Sequence, residues 1–179
     1  MKNPWKVLST RPVYSNPWIS VREDTVITPR GNQGIYGVVS FQGAVAVVAL
    51  NASDEVYLVG QYRYPVDEYT WELVEGAAQR GEDPLESAKR ELKEEVGLTA
   101  RSWVQLGSDV QLSNCVCDER AYVFLATDLE EGSAEPDETE VLQIKKMPFA
   151  ECIEWVNRGE AKDALTIIGL SRARHYLGR

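Results

Sequence analysis

Glu91, Glu94 and Glu95 stand at i, i+3 and i+4. At roughly 100° per residue, that spacing places three carboxylates within an arc of about 100° on one helix face. Like charges so close repel and raise one another's pKa unless cations lie between them. A hard divalent ion meets that need. Carboxylate oxygens suit Mg²⁺ or Mn²⁺, and Mg²⁺ commonly completes its octahedron with waters and substrate phosphate oxygens. The chemistry predicted is metal-assisted attack on a phosphate. A purely solvated face is the alternative, because Lys89, Arg90 and Lys93 on the same stretch could pair with the glutamates.

The helix that must carry these residues is specified by its neighbours. Asp83 is a good N-cap, Pro84 suits the first helical position, Glu86 follows the cap by three, and Gly97 can close the helix in a left-handed conformation. The expected helix runs from about Pro84 to Val96. Ahead of it, Trp71 to Gly76 should form a short strand leading into a loop. Ala44 to Leu50, AVAVVAL, fits a buried central strand, and Val56 to Arg63 fits another that Pro65 ends. Trp103 to Leu106, Ala121 to Ala126 and Val141 to Lys146 read as further strands. Pro148 starts a helix, and Asp163 caps a last one through Tyr176. Residues 130–140 combine six acids with Gly, Ser and Pro, and are expected to be an exposed loop. Short apolar runs punctuated by Pro17, Pro29, Gly31 and Asn32 suggest an N-terminal antiparallel unit.

Bulk properties narrow the function classes. The 179 residues suit one sizeable core, and 19 basic against 28 acidic side chains leave a net charge of −9. No basic run offsets that charge, so long nucleic-acid strands would be repelled. The N-terminus lacks the apolar core of a signal peptide, and no run approaches 18 apolar residues, so a cytoplasmic protein without a membrane span is expected. Cys115, Cys117 and Cys152 lack zinc-site spacing, and His175 is the sole histidine. Neither a Cys/His metal centre nor a histidine-based triad is supported.

Gly76, Glu82, Arg90, Glu91, Leu92, Glu94, Glu95, Gly97 and Leu98 fill every position of Gly-x5-Glu-x7-Arg-Glu-aliphatic-x-Glu-Glu-x-Gly-aliphatic. The stretch resembles the Nudix hydrolase box. The resemblance implies an α/β fold, a Nudix-type α/β/α sandwich with a mixed sheet over residues 42–179, plus a small N-terminal antiparallel β unit over 1–41. Further motifs resemble the branch that hydrolyses ADP-ribose and other nucleoside diphosphate sugars: NPWISVRED from Asn16, GQYRYP from Gly60, WELVEG from Trp71 and LSNCVCDE from Leu112.

That branch implies metal ligation by Glu91, Glu94, Glu95 and the Glu75 carbonyl, with two or three Mg²⁺ or Mn²⁺ ions. Arg90 would orient a ligating glutamate, and Glu82 would support the substrate site. Arg63 would contact phosphate, and Trp18 would stack on the nucleobase. Glu138 or Glu140 would be the general base. The N-terminal strands would build a homodimer, which in that branch often involves exchange between subunits. Two departures bear on substrate: Val74-Glu75-Gly76 stands where the branch has Pro-Ala-Gly, and Ser113-Asn114-Cys115 where it has Ser-Pro-Gly. They shift weight from ADP-ribose towards ADP- or GDP-hexoses. The competing readings are another pyrophosphohydrolase activity, on nucleoside triphosphates or dinucleoside polyphosphates, and a nucleotide-binding module without turnover.

Overall fold

The computed structural model describes residues 2–79, 81–134 and 141–179. The chain forms two compact units, one of residues 1–42 with 111–120 and one of residues 43–110 with 121–179. In the first, β1 (Lys6–Ser15), β2 (Ser20–Ile27) and β3 (Gln33–Ser40) make an antiparallel sheet in that order. All ten residues of β1 are exposed. Pro12 is tolerated there because β1 is an edge strand, and its register with β2 shifts between Pro12 and Tyr14. The segment carrying the cysteine pair closes on β3. Tyr36 donates its hydroxyl to the Cys115 carbonyl at 2.7 Å, Ser40 donates to the Asp118 carboxylate at 2.7 Å, and Val39 bridges Cys117 in parallel.

The second unit is a mixed α/β fold. Its strands are β4 (Gly43–Ala49), β5 (Glu55–Arg63), β6 (Glu68–Glu72), β7 (Val74–Ala78), β8 (Leu98–Gln105), the two-residue β9 (Val110–Gln111), β10 (Arg120–Glu131) and β11 (Gln143–Pro148). Three helices complete it: α1 (Pro84–Val96), α2 (Phe149–Asn157) and α3 (Ala164–Tyr176). One sheet runs β7-β4-β10-β8 with β9 beside β10, and another runs β11-β5-β6. β4 and β10 are parallel, while β7 and β8 join them antiparallel.

β4 explains the continuous apolar run. Val45, Val47 and Ala49 join the core with Ala88, Leu92 and Val96 of α1. Val48 points the other way, towards Gly169 of α3, where an added Cβ would lie 3.4 Å from Val48 Cγ2. Alternate residues thus bury against helices on opposite faces, so no position is left for a polar side chain. No helix among the described residues is long and apolar enough to cross a membrane.

Some strand bounds shift from expectation, β8 starting at Leu98 where Trp103 was expected and β11 at Gln143 where Val141 was, and two further differences change the topology. The single strand expected over Trp71 to Gly76 is two strands in different sheets, parting at Leu73. There the backbone N–H leaves the ladder and donates to Thr166 Oγ1 at 2.9 Å. At the other difference, β10 continues through Glu130 and Glu131, which were expected in a loop, because β8 supplies partners at Thr99 and Leu98. Strand pairing overrides the acidic composition there.

Candidate functional site

The site begins with the capping of α1. Asp83 accepts a hydrogen bond from the Leu85 N–H at 3.0 Å, Pro84 occupies the first turn, and Gly97 ends the helix at φ 68°. An L side chain at Gly97 would be strained, and its Cβ would also lie 2.6 Å from the Ala134 amide. Burial of Ala88, Leu92 and Val96 sets the rotation of the helix about its axis. Fully burying one leucine contributes roughly 2 kcal/mol, so this orientation is strongly held.

Given that rotation, Glu91 and Glu95 face β7. They are 9% and 3% exposed. The Glu75 amide donates to Glu95 Oε2 at 3.2 Å. Opposite Glu91 stands Gly76, and a Cβ there would fall inside the Glu91 carboxyl group. Only glycine lets that carboxylate lie against the strand.

Arg90 links the acids. Its Nη1 donates to Glu91 Oε1 at 2.7 Å and to Glu94 Oε2 at 2.9 Å, while Nη2 donates to the Ala77 carbonyl at 3.0 Å. Burial opposes the Arg90 charge, but Glu91 and then Glu94 more than offset it and raise its pKa. Its Nε is buried without a partner among the described residues. Glu82 lies 3.9 Å from Arg90 and accepts the Ser87 hydroxyl, so it braces the loop before α1. The structure therefore brings together Glu75, Glu82, Arg90, Glu91, Glu94 and Glu95.

Arg63 lies in a second cluster. Its Nε donates to both Glu72 oxygens at 3.0 Å, its Nη2 also contacts Glu72, and Thr70 donates its hydroxyl to the same carboxylate. The Glu75 side chain leans towards this cluster and accepts the Thr166 hydroxyl at 3.2 Å. Burial first, and then the adjacent Asp163, push the Glu75 carboxyl well above the usual carboxylate range. Asp163 itself caps α3, accepting from Thr166 N at 2.7 Å. Sequence reasoning missed Glu72. Its signal is alternation: Thr70 and Glu72 fall on one side of β6 with Trp71 on the other.

Trp18 belongs to the first unit. Asn16 Oδ1 accepts from the Trp18 and Ile19 amides at 2.9 and 2.8 Å, making a tight turn between β1 and β2. The indole is left 73% exposed. Glu138 and Glu140 lie outside the described residues.

Among the described residues, no three Asp, Glu, His or Cys side chains converge into a ready metal cage. The donor chemistry nevertheless fits a hard divalent ion. All candidate donors are oxygens, two carboxylates share a buried edge one helical turn apart, and Glu94 stands half-buried beside them. Mg²⁺ is usually held by one or two carboxylates with waters and substrate phosphates, not by an all-protein cage. Glu91 and Glu94 would have to exchange their contacts with Arg90 for the ion.

Residues 40–167 match the NUDIX domain, and residues 5–39 match the nucleoside diphosphate sugar hydrolase N-terminal domain. The chain is 34% identical over 172 residues to an ADP-ribose pyrophosphatase of Mycobacterium tuberculosis, covering 94% of this chain and 83% of that protein. A Bacillus subtilis ADP-ribose pyrophosphatase is 30% identical over 163 residues, covering 90% and 88%. A methanol dehydrogenase activator of Bacillus methanolicus is 29% identical over 167 residues, covering 92% and 90%. Among solved structures, an ADP compounds hydrolase shares the fold with a TM-score of 0.84 at 23% identity, covering 97% of this chain and 94% of that one.

Proposed function

The chain belongs to the Nudix hydrolases and is a pyrophosphatase of the nucleoside diphosphate sugar hydrolase type, and on that premise we propose its substrates and the roles of its residues. The substrates are ADP-ribose and ADP- or GDP-hexoses. Water attacks one phosphorus of the diphosphate, and the bridging P–O bond breaks to give a nucleoside monophosphate and a sugar phosphate.

The observation that supports this reading best is the set of Glu91, Glu94 and Glu95 on α1, held by Arg90 and the Glu75 amide. These three glutamates, with the Glu75 carbonyl, would hold two or three Mg²⁺ or Mn²⁺ ions, which when bound would supply acidification of water and neutralisation of charge on the leaving phosphate. Arg90 keeps Glu91 ionised and in place, since a guanidinium is a fixed charge. Glu82 steadies the loop entering α1. Arg63 grips the substrate, Glu138 or Glu140 takes the proton from water, and Trp18 stacks on the base. β1, exposed along its length with Val7, Leu8, Val13 and Tyr14 in solvent, builds a homodimer.

The test measures nucleoside monophosphate release from ADP-ribose, ADP-glucose, GDP-mannose, UDP-glucose and a deoxynucleoside triphosphate, with Mg²⁺ and with chelator. Release from the sugars is expected with metal only, and Glu95→Gln should lower it on the order of 10³-fold. Cleavage of the triphosphate with all sugars untouched would overturn the substrate class.

A further inference from the structure

Arg63, Thr70, Glu72, Lys162 and Asp163 line a cleft of about 400 Å³, within the size range of small-molecule pockets at roughly 300–1,000 Å³. It adjoins the carboxylate helix through a short chain of contacts. Asp163 caps Thr166, the Thr166 hydroxyl meets Glu75, and the Glu75 amide holds Glu95. A substrate whose diphosphate lies at Glu95 therefore has this cleft as a neighbour.

Its charge decides what it can take. With Glu68 at the rim, two cations face three carboxylates, a net of −1. A second anionic phosphate is disfavoured there. Both cations are already held by acids, Arg63 by Glu72 and Lys162 by Glu68. Among the described residues, Arg63 Nε and Nη2 are occupied by Glu72, which leaves Nη1, and the Lys162 ammonium keeps two of its three N–H groups. Glu68 and Asp163 retain acceptor capacity beyond the bonds they make, whereas four contacts from Arg63 and Thr70 fill the Glu72 carboxylate. Oriented donors beside spare acceptors suit a neutral polyol, whose hydroxyls both accept and donate. Pro65 and Val66 add an apolar wall for ring C–H groups.

The geometry points to this cleft as the subsite for the sugar ring of the substrate, with Lys162 as a contact to its hydroxyls and Glu72 as a positioning residue that aims Arg63. This assignment rests on the nucleoside diphosphate sugar reading, so its test works without turnover. In a Glu95→Gln background, calorimetry would compare ADP-glucose with the methyl ester of ADP, which keeps the diphosphate and lacks the sugar. Adding Lys162→Met should weaken ADP-glucose about tenfold and leave the methyl ester within about twofold. Equal weakening of both ligands would place Lys162 at the diphosphate or nucleoside, and no weakening of either would remove it from the site; each result overturns the assignment. If the enzyme with Glu95 intact leaves all sugars uncleaved while this difference in affinity holds, the hydrolytic reading fails and the sugar subsite stands.

Discussion

Arg90 and Arg63 are both arginines surrounded by glutamates, yet they are held in different ways. Arg90 spreads its contacts over Glu91, Glu94 and the Ala77 carbonyl, and its Nε is buried without a partner among the described residues. Arg63 commits Nε and Nη2 to one carboxylate, Glu72, which is 3% exposed and fixed again by Thr70. A bidentate pair fixes the plane of a guanidinium, whereas single contacts to several acids fix only its position. Arg90 can therefore give up a carboxylate to a cation without being released, and Arg63 presents one constant edge to a ligand.

The Arg90 side is broken most severely from the strand opposite. Gly76→Ala drives a methyl group into the Glu91 carboxylate. It is expected to lower kcat/KM on the order of 10²-fold, because displacement by about 1 Å costs that much in a positioned site. Steady-state kinetics with a metal titration checks it, and wild-type behaviour would mean that Glu91 need not lie against β7.

A smaller effect separates the two arginines directly. Glu72→Gln should raise KM about tenfold with kcat nearly kept, since Arg63 loses its aim in the ground state and the transition state alike. Arg90→Gln should instead lower kcat about tenfold and raise the metal concentration required, as a residue supporting metal ligands does. Parallel changes in both variants would erase the distinction.

The smallest effect concerns Glu75, which joins the two clusters. Burial and the nearby Asp163 raise its folded-state pKa above the ordinary carboxylate value of 4.5. A raised carboxyl favours folding while protonated. Its contribution is complete below the unfolded-state pKa and is lost as pH rises through the folded-state value. Glu75→Gln should therefore gain on the wild type as pH rises, with its Tm ahead by about 2–4 °C near pH 9. A constant difference across pH would show that Glu75 ionises normally.

The local features were legible because they depend on neighbours in the chain. Asp83, Pro84 and Gly97 bound α1 where the capping rules place its ends, and the 3.6-residue period puts Glu91, Glu94 and Glu95 on one face. Asp163 likewise caps α3. The split of Trp71 to Gly76 was not legible, because the Leu73 amide finds its partner on Thr166, 93 residues away. Nor was the extension of β10 through Glu131, which depends on pairing with Leu98.

Sequence alone determined the chemistry on offer: an oxygen-rich, metal-suited helix in a chain with the full Nudix pattern. Tertiary structure decided which carboxylate each arginine holds, why Gly76 must lack a side chain, and that Lys162 and Arg63 share a cleft. Those outcomes depend on strands and helices distant in sequence meeting at a particular rotation, and burial of apolar residues such as Leu92 sets that rotation.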